Sequence, residues 1–145
     1  MKKQGWLAAC FFLGLFAQPH HRMRERLQSL RIAYLSEEMK LMPEEAQNFW
    51  PLYNAREAEL QKARAAAREQ LWRLEERRYT LSPEAFADSV SAIYLGLWQK
   101  EGEIRRSYHE RLKKALPPEK LARFYLAELR LLRRALGETG PPHRE

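Results

Sequence analysis

Apolar residues recur at steps of three and four along the chain from about residue 22, and no segment alternates in the period of two that marks a strand. The pattern predicts four helices. In the first, over residues 22–40, Leu27, Leu30 and Tyr34 share a face with Met23 in line, while Arg24, Arg26, Arg31, Glu37 and Glu38 fall on the solvated side. The second, over residues 43–77, carries Ala46, Phe49, Trp50 and Tyr53. It continues through Leu60, Ala63, Ala67, Leu71 and Leu74 as a narrow, alanine-rich stripe suited to a close helix neighbour. Pro51 lies inside it, removes one backbone hydrogen bond and should kink it. The third starts at Ser82-Pro83-Glu84 and reaches Leu116, with one row of Phe86, Val90, Ile93, Leu97, Ile104, Tyr108 and Leu112; Tyr94 and Trp98 lie off that row. The fourth runs over residues 118–136, with Leu121, Phe124, Tyr125, Leu129, Leu132 and Leu136 as its buried side and Gly137 as a stop.

A four-residue pattern, Leu-x-Pro-Glu, punctuates these helices at Leu41, Leu81 and Leu116. Proline suits the first turn, where its missing N–H would be unpaired anyway, and a following Glu lies against the positive end of the helix dipole. The fold expected is all-α: an elongated four-helix protein whose two long central helices form a hairpin. Narrow apolar stripes on long helices leave surface that a second copy could bury, so a homodimer is expected.

The chain has 145 residues, enough for one domain, with 31% charged residues and a net charge of +7. Its first residues have the form of an export signal. Lys2 and Lys3 precede an apolar run over residues 5–17, shorter than the about 20 residues a membrane-spanning helix needs, and Ala17 then meets polar Gln18. Cleavage after Ala17 divides the chain into a signal peptide (1–17), a helical domain (18–137) and a disordered tail (138–145). Leu7-Ala8-Ala9-Cys10 also has the form of a lipoprotein box. Cys10 is the single cysteine, so cleavage would leave no thiol and no disulfide, and stability would rest on helix packing. A periplasmic protein without a stable membrane span is the expectation.

The stretch Ile32 to Tyr53, Ile-Ala-Tyr-Leu-Ser-Glu-Glu-Met-Lys-Leu-Met-Pro-Glu-Glu-Ala-Gln-Asn-Phe-Trp-Pro-Leu-Tyr, resembles the Spy/CpxP group of small exported chaperones and metal- or stress-responsive sensors, some of them labelled sensors of extracytoplasmic-function sigma factors. The resemblance rests on Leu41, Pro43, Glu44, Glu45, Gln47, Phe49, Trp50, Pro51 and Tyr53, and on the four-helix layout. Met42 stands where Thr is usual, so a capping hydroxyl is missing, and the copy at Leu116 has Pro117 and Lys120 in place of Thr and Gln. The resemblance implies an ATP-independent chaperone that binds unfolded envelope proteins on a surface mixing cationic and apolar side chains. The alternative it implies is a sensor or accessory regulator of a sigma-factor or metal-responsive signalling system, binding a periplasmic signalling domain or a metal.

Candidate client-binding residues are Arg64, Arg68, Trp72 and Arg73 on the second helix and Arg105 and Arg106 on the third. Such surfaces give fast, sequence-tolerant association. Phe49, Trp50 and Tyr53 are expected in the core. No metal site is expected, His20 and His21 being weak candidates, and no cofactor. The chain has no Gly-rich phosphate loop and no His-Glu-x-x-His, and Asp88 is its only Asp, so no catalytic residue is assigned and no enzyme is expected. Basic residues are spread over all helices and mixed with acids, without a DNA-binding motif, so nucleic acid is not an expected partner.

Overall fold

The computed structural model describes residues 19–135 as four helices: α1 (Pro19–Met39), α2 (Pro43–Glu76), α3 (Pro83–Ala115) and α4 (Pro118–Ala135), with a short 3-10 turn, Arg78–Thr80, between α2 and α3. The protein is all-α, with no strand among the described residues. The export signal at 1–17 with Cys10, the side chains of His20, His21 and Met23, and Leu136, Gly137 and the tail lie outside the described residues or side chains.

Local chemistry sets the helix ends. Proline occupies the first turn of α2 and α3. Ser82 Oγ accepts a hydrogen bond from Ala85 N at 3.2 Å. Met42 has no hydroxyl, and Glu45 compensates by reaching back to accept from Met42 N at 2.8 Å, the reciprocal half of a capping box. α1 stops at Lys40, which takes a positive φ of 48°. Lys120 from α4 donates to the carbonyls of Met39 (3.0 Å) and Lys40, placing a cation at the negative end of α1. α2 runs without interruption through Pro51, which sits on its exposed side.

At about 1.5 Å per residue, the 34 residues of α2 and 33 of α3 each span roughly 50 Å. They run antiparallel, as the pairings of Glu59 with Tyr108 and of Arg64 with Glu101 require. α1 and α4 pack on one another and join this pair at one end only. The main core lies there: Leu35 and Met39 of α1, Phe49 and Tyr53 of α2, Leu112 and Leu116 at the end of α3, and Phe124 and Ala127 of α4. Phe49 is its hub, with ring centroids 4.8 Å from Trp50, 5.6 Å from Tyr53 and 5.2 Å from Phe124. A smaller cluster of Leu60, Ile104 and Tyr108 continues between α2 and α3, and beyond it those helices have only each other.

Four charged side chains lie against this core in a closed ring. Arg56, only 3% exposed, makes a two-pronged contact with Glu128 of α4 (2.5 and 3.2 Å) and reaches Glu57 at 3.0 Å. Arg31 of α1 closes the ring, 3.1 Å from both Glu57 and Glu128. The Arg56 guanidinium also lies 4.9 Å from the Phe124 ring centre and 5.2 Å from that of Tyr53. Burial lowers the Arg56 pKa, but the hydrogen bond and charge of Glu128, with Glu57, reverse this and hold the side chain more firmly charged than usual.

Three sequence-based expectations change. Leu27 and Leu30 are 59% and 60% exposed; α1 buries Leu35 and Met39 instead, because it meets the other helices near its C-terminal end. Leu129 and Leu132, expected inside, are each 56% exposed, and Ala127 and Leu131 face the core. Arg31 and Glu38, read as solvated, are paired, Glu38 with Arg130 at 2.6 Å.

Removing one partner from a buried ion pair leaves the other charge uncompensated, so Glu128→Ala should lower unfolding free energy by about 3 kcal/mol. Arg73→Ala, which breaks a pair more than half exposed, should change it by less than about 0.5 kcal/mol. Urea titrations of the two variants test the contrast. The phenol of Tyr53 is pushed up to about 12, chiefly by burial. A pKa raised on folding favours the neutral phenol, so this contribution to stability is complete below pH 10, the unfolded value, and is lost as the pH climbs through 12. Unfolding midpoints should therefore fall between pH 10 and pH 12, and Tyr53→Phe should make that fall shallower.

Candidate functional site

Beyond Leu60 and Ile104 the α2–α3 pair has two sides, and helix periodicity sorts its residues between them. On α3, Tyr94, Trp98, Glu101 and Arg105 follow at steps of four, three and four and share one side. On α2, Arg64, Arg68, Leu71 and Glu75 do the same. Glu101 joins the two sets: it accepts from Arg64 Nε at 2.6 Å across the helix pair and from Arg105 Nη1 at 2.7 Å one turn along. Partial burial pushes the Glu101 carboxyl up, but these two guanidinium donors outweigh it and hold the group below the usual carboxylate range. The antiparallel register set by this bridge brings Arg68 level with Trp98 and Leu71 level with Tyr94.

The rings of Tyr94 and Trp98 lie with centroids 5.2 Å apart and remain 53% and 64% exposed. Two contacting aromatics left this open, beside a bridged arginine pair, make a surface that is apolar, cationic and accessible. Leu95 and Trp72, also exposed, lie further round their helices.

The expected client-binding residues divide on this frame. Arg64 and Arg105 meet through Glu101, and Arg68 and Trp72 continue from Arg64 at four-residue steps. Arg73, nine residues from Arg64, lies half a turn round α2 and pairs with Glu69 at 2.5 Å. Arg106 donates to the carbonyl of Gly102 at 3.3 Å and shares no contact with the Glu101 bridge. Tyr94, Trp98 and Glu101 were not among the residues chosen from the sequence. Their signal was there, as two aromatics four residues apart that fall outside the buried row of a helix.

The opposite side of the pair opens as a groove of about 710 Å³, lined by Ala63, Ala66, Ala67, Gly96 and Leu97, with Lys62 and Lys100 among its polar residues. A Cβ on Gly96 would meet nothing within 4 Å. Near the core end, Tyr108 donates to Glu59 at 2.6 Å; that bond, with burial, raises the phenol's pKa.

Most residues that carry the resemblance lie in the first turn of α2 or in the core. Pro43, Glu44 and Glu45 start α2, and Phe49 and Tyr53 are buried with Trp50 packed at their edge. Gln47 and Pro51 are exposed. Among the described residues no cluster of His, Cys, Asp or Glu could hold a metal ion, and no helix is long and apolar enough to cross a membrane.

Comparison with protein-family models, with curated proteins and with solved structures found no match for this chain in any of the three.

Glu101→Ala should leave Arg64 and Arg105 unpaired and lower stability by about 1 kcal/mol, the usual scale for hydrogen bonds to a partly exposed charged group. A thermal or urea unfolding series on this variant checks the value. Because the carboxyl's pKa is lowered on folding, its contribution is present at neutral pH and lost on acidification through the folded value, so the difference from wild type should shrink in acid.

Proposed function

We propose that the protein is an exported, ATP-independent chaperone-like binding protein of the envelope stress response, which holds unfolded envelope proteins in the periplasm. The observation that carries this reading is the exposed pair Tyr94 and Trp98 beside the Arg64–Glu101–Arg105 bridge and Arg68. A client approaching this side meets cations that attract acidic segments at long range. It then meets two aromatic rings, whose contact is non-directional and tolerant of sequence. Neither step needs a nucleotide or a catalytic group. The resemblance of Ile32 to Tyr53 to the Spy/CpxP group and the signal-like residues 1–17 support the same reading. A homodimer belongs to it as well. The groove lined by Ala63, Ala66, Ala67 and Gly96 has the small-residue lining that lets a helix of a second copy approach closely, leaving the aromatic side open to clients.

The test is light scattering from a denatured client diluted into buffer with the chain present. Wild type should suppress aggregation. Tyr94→Ser with Trp98→Ser, both at exposed positions, should keep the helical circular dichroism and weaken client affinity by about tenfold, the equivalent of ~1.4 kcal/mol. A folded wild type that suppresses nothing would end the chaperone reading and leave a sensor or accessory regulator as the alternative. Undiminished suppression by the double variant would remove this surface from it.

A further inference from the structure

α4 carries a second apolar surface, separate from the aromatic side of α2–α3. With Phe124 facing the core, Ala127 and Leu131 flank it inward. Leu126, Leu129 and Leu132 turn away from the core and are 52%, 56% and 56% exposed. They recur at steps of three, so they form one row along the helix. The row continues over Ala122 and Tyr125 into a cavity of about 330 Å³ where α3 turns into α4, lined also by Leu116, Pro118 and Leu121 and edged by His109 and Lys113.

The charges round this row are asymmetric. Arg133 falls between Leu126 and Leu129 in helical projection and has no partner among the described residues. Lys113 stands at the cavity and is held only by exposed Glu110, at 3.6 Å. His109 is hydrogen-bonded to the Tyr125 hydroxyl at 2.9 Å and lies 3.9 Å from Glu110. The two acids of α4 are engaged elsewhere, Glu119 with Arg123 and Glu128 in the buried ring. The exposed leucines are therefore bordered by cations, and the acids near them, Glu110, Glu119 and Glu38, are each already paired with a basic side chain.

We propose that this row docks on the surface of an anionic phospholipid bilayer. α4 would lie in the plane of the interface with Leu126, Leu129 and Leu132 among the upper acyl segments, Arg133 and Lys113 would meet headgroup phosphates, and the cavity beside Tyr125 would take an apolar chain end. The composition of the row, leucines on one face and arginines beside them, is that of an interfacial helix, and phosphate complements both cations. A second copy is the poorer occupant. Two such rows placed face to face would bring like-charged arginines together, and three half-exposed leucines cover far less than the about 800 Å² per partner of a stable interface. The proposal does not depend on the chaperone reading, which uses the other end of the molecule.

The experiment is co-sedimentation of the full chain with vesicles of phosphatidylcholine alone and of phosphatidylcholine mixed with phosphatidylglycerol. Wild type is compared in each with Leu126→Asn/Leu129→Asn/Leu132→Asn and with Arg133→Glu. Residues 1–17 are present in every chain, so the chains compared differ only at the substituted positions. Binding to the anionic vesicles should fall about tenfold or more in the leucine variant. Arg133→Glu should weaken binding to the anionic vesicles and leave the neutral ones unchanged. Equal binding by wild type and both variants would overturn the proposal. So would a wild type that ignores vesicles but self-associates through the leucines, which would assign the row to a second copy. If the asparagine variant loses its helical signal, Arg133→Glu with Lys113→Glu, both at exposed positions, decides the question by the same comparison of lipids.

Discussion

The closed ring of Arg31, Glu57, Arg56 and Glu128 is the constraint on which the arrangement of helices turns. Apolar contact is non-directional, and the directional bonds of the ring add to it a fixed alignment of α1 and α4 on α2. Two guanidinium groups and two carboxylates, each bonded to two others, accept one alignment. The ring is neutral overall, so its burial leaves no net charge. The cost that remains is local: the Nε atoms of Arg31 and Arg56 and the hydroxyl of Tyr53 are buried without a hydrogen-bond partner among the described residues. Such a ring is weak evidence for high stability, but it specifies how three helices meet.

Because α1 and α4 are fastened at one end of α2–α3, the other end is left as a two-helix extension. A pair of helices can bury only the residues between them, and Ala67 and Leu74 are buried there while Phe86, Val90, Ile93 and Leu97 are only partly covered. The remaining aromatic surface has nowhere to go but outward. The exposed Tyr94 and Trp98 thus follow from the fold, and the bridge from Arg64 through Glu101 to Arg105 ties the extension together while keeping two cations beside the rings. The same geometry strands the leucines of α4, which packs on α1 with one side and offers another to solvent.

The sequence by itself determined the helices and most of their ends. Local rules suffice for this: proline and an acid in the first turn, Ser82 as a cap, and apolar residues at steps of three and four. The burial of Phe49 and Tyr53 was legible for the same reason, as a dense aromatic run on one helical face. Periodicity cannot say which of two apolar faces a neighbour will cover. That is why Leu27, Leu30, Leu129 and Leu132 were placed inside while the structure exposes them. The charged ring was legible only as an anomaly, Arg56 interrupting the series Phe49, Tyr53 and Leu60 at a position that should be apolar. Its distant partner Glu128 lies 72 residues on, and Arg31, which closes the ring through Glu57 and Glu128, lies well before it in the chain, so only tertiary structure could bring them together. The same holds for Lys120, read as a departure from a motif, which closes the end of a helix about 80 residues away. Contacts within a turn are encoded by neighbours in the chain, whereas the choice of face, the pairing of distant charges and the surface left open depend on where whole helices come to rest.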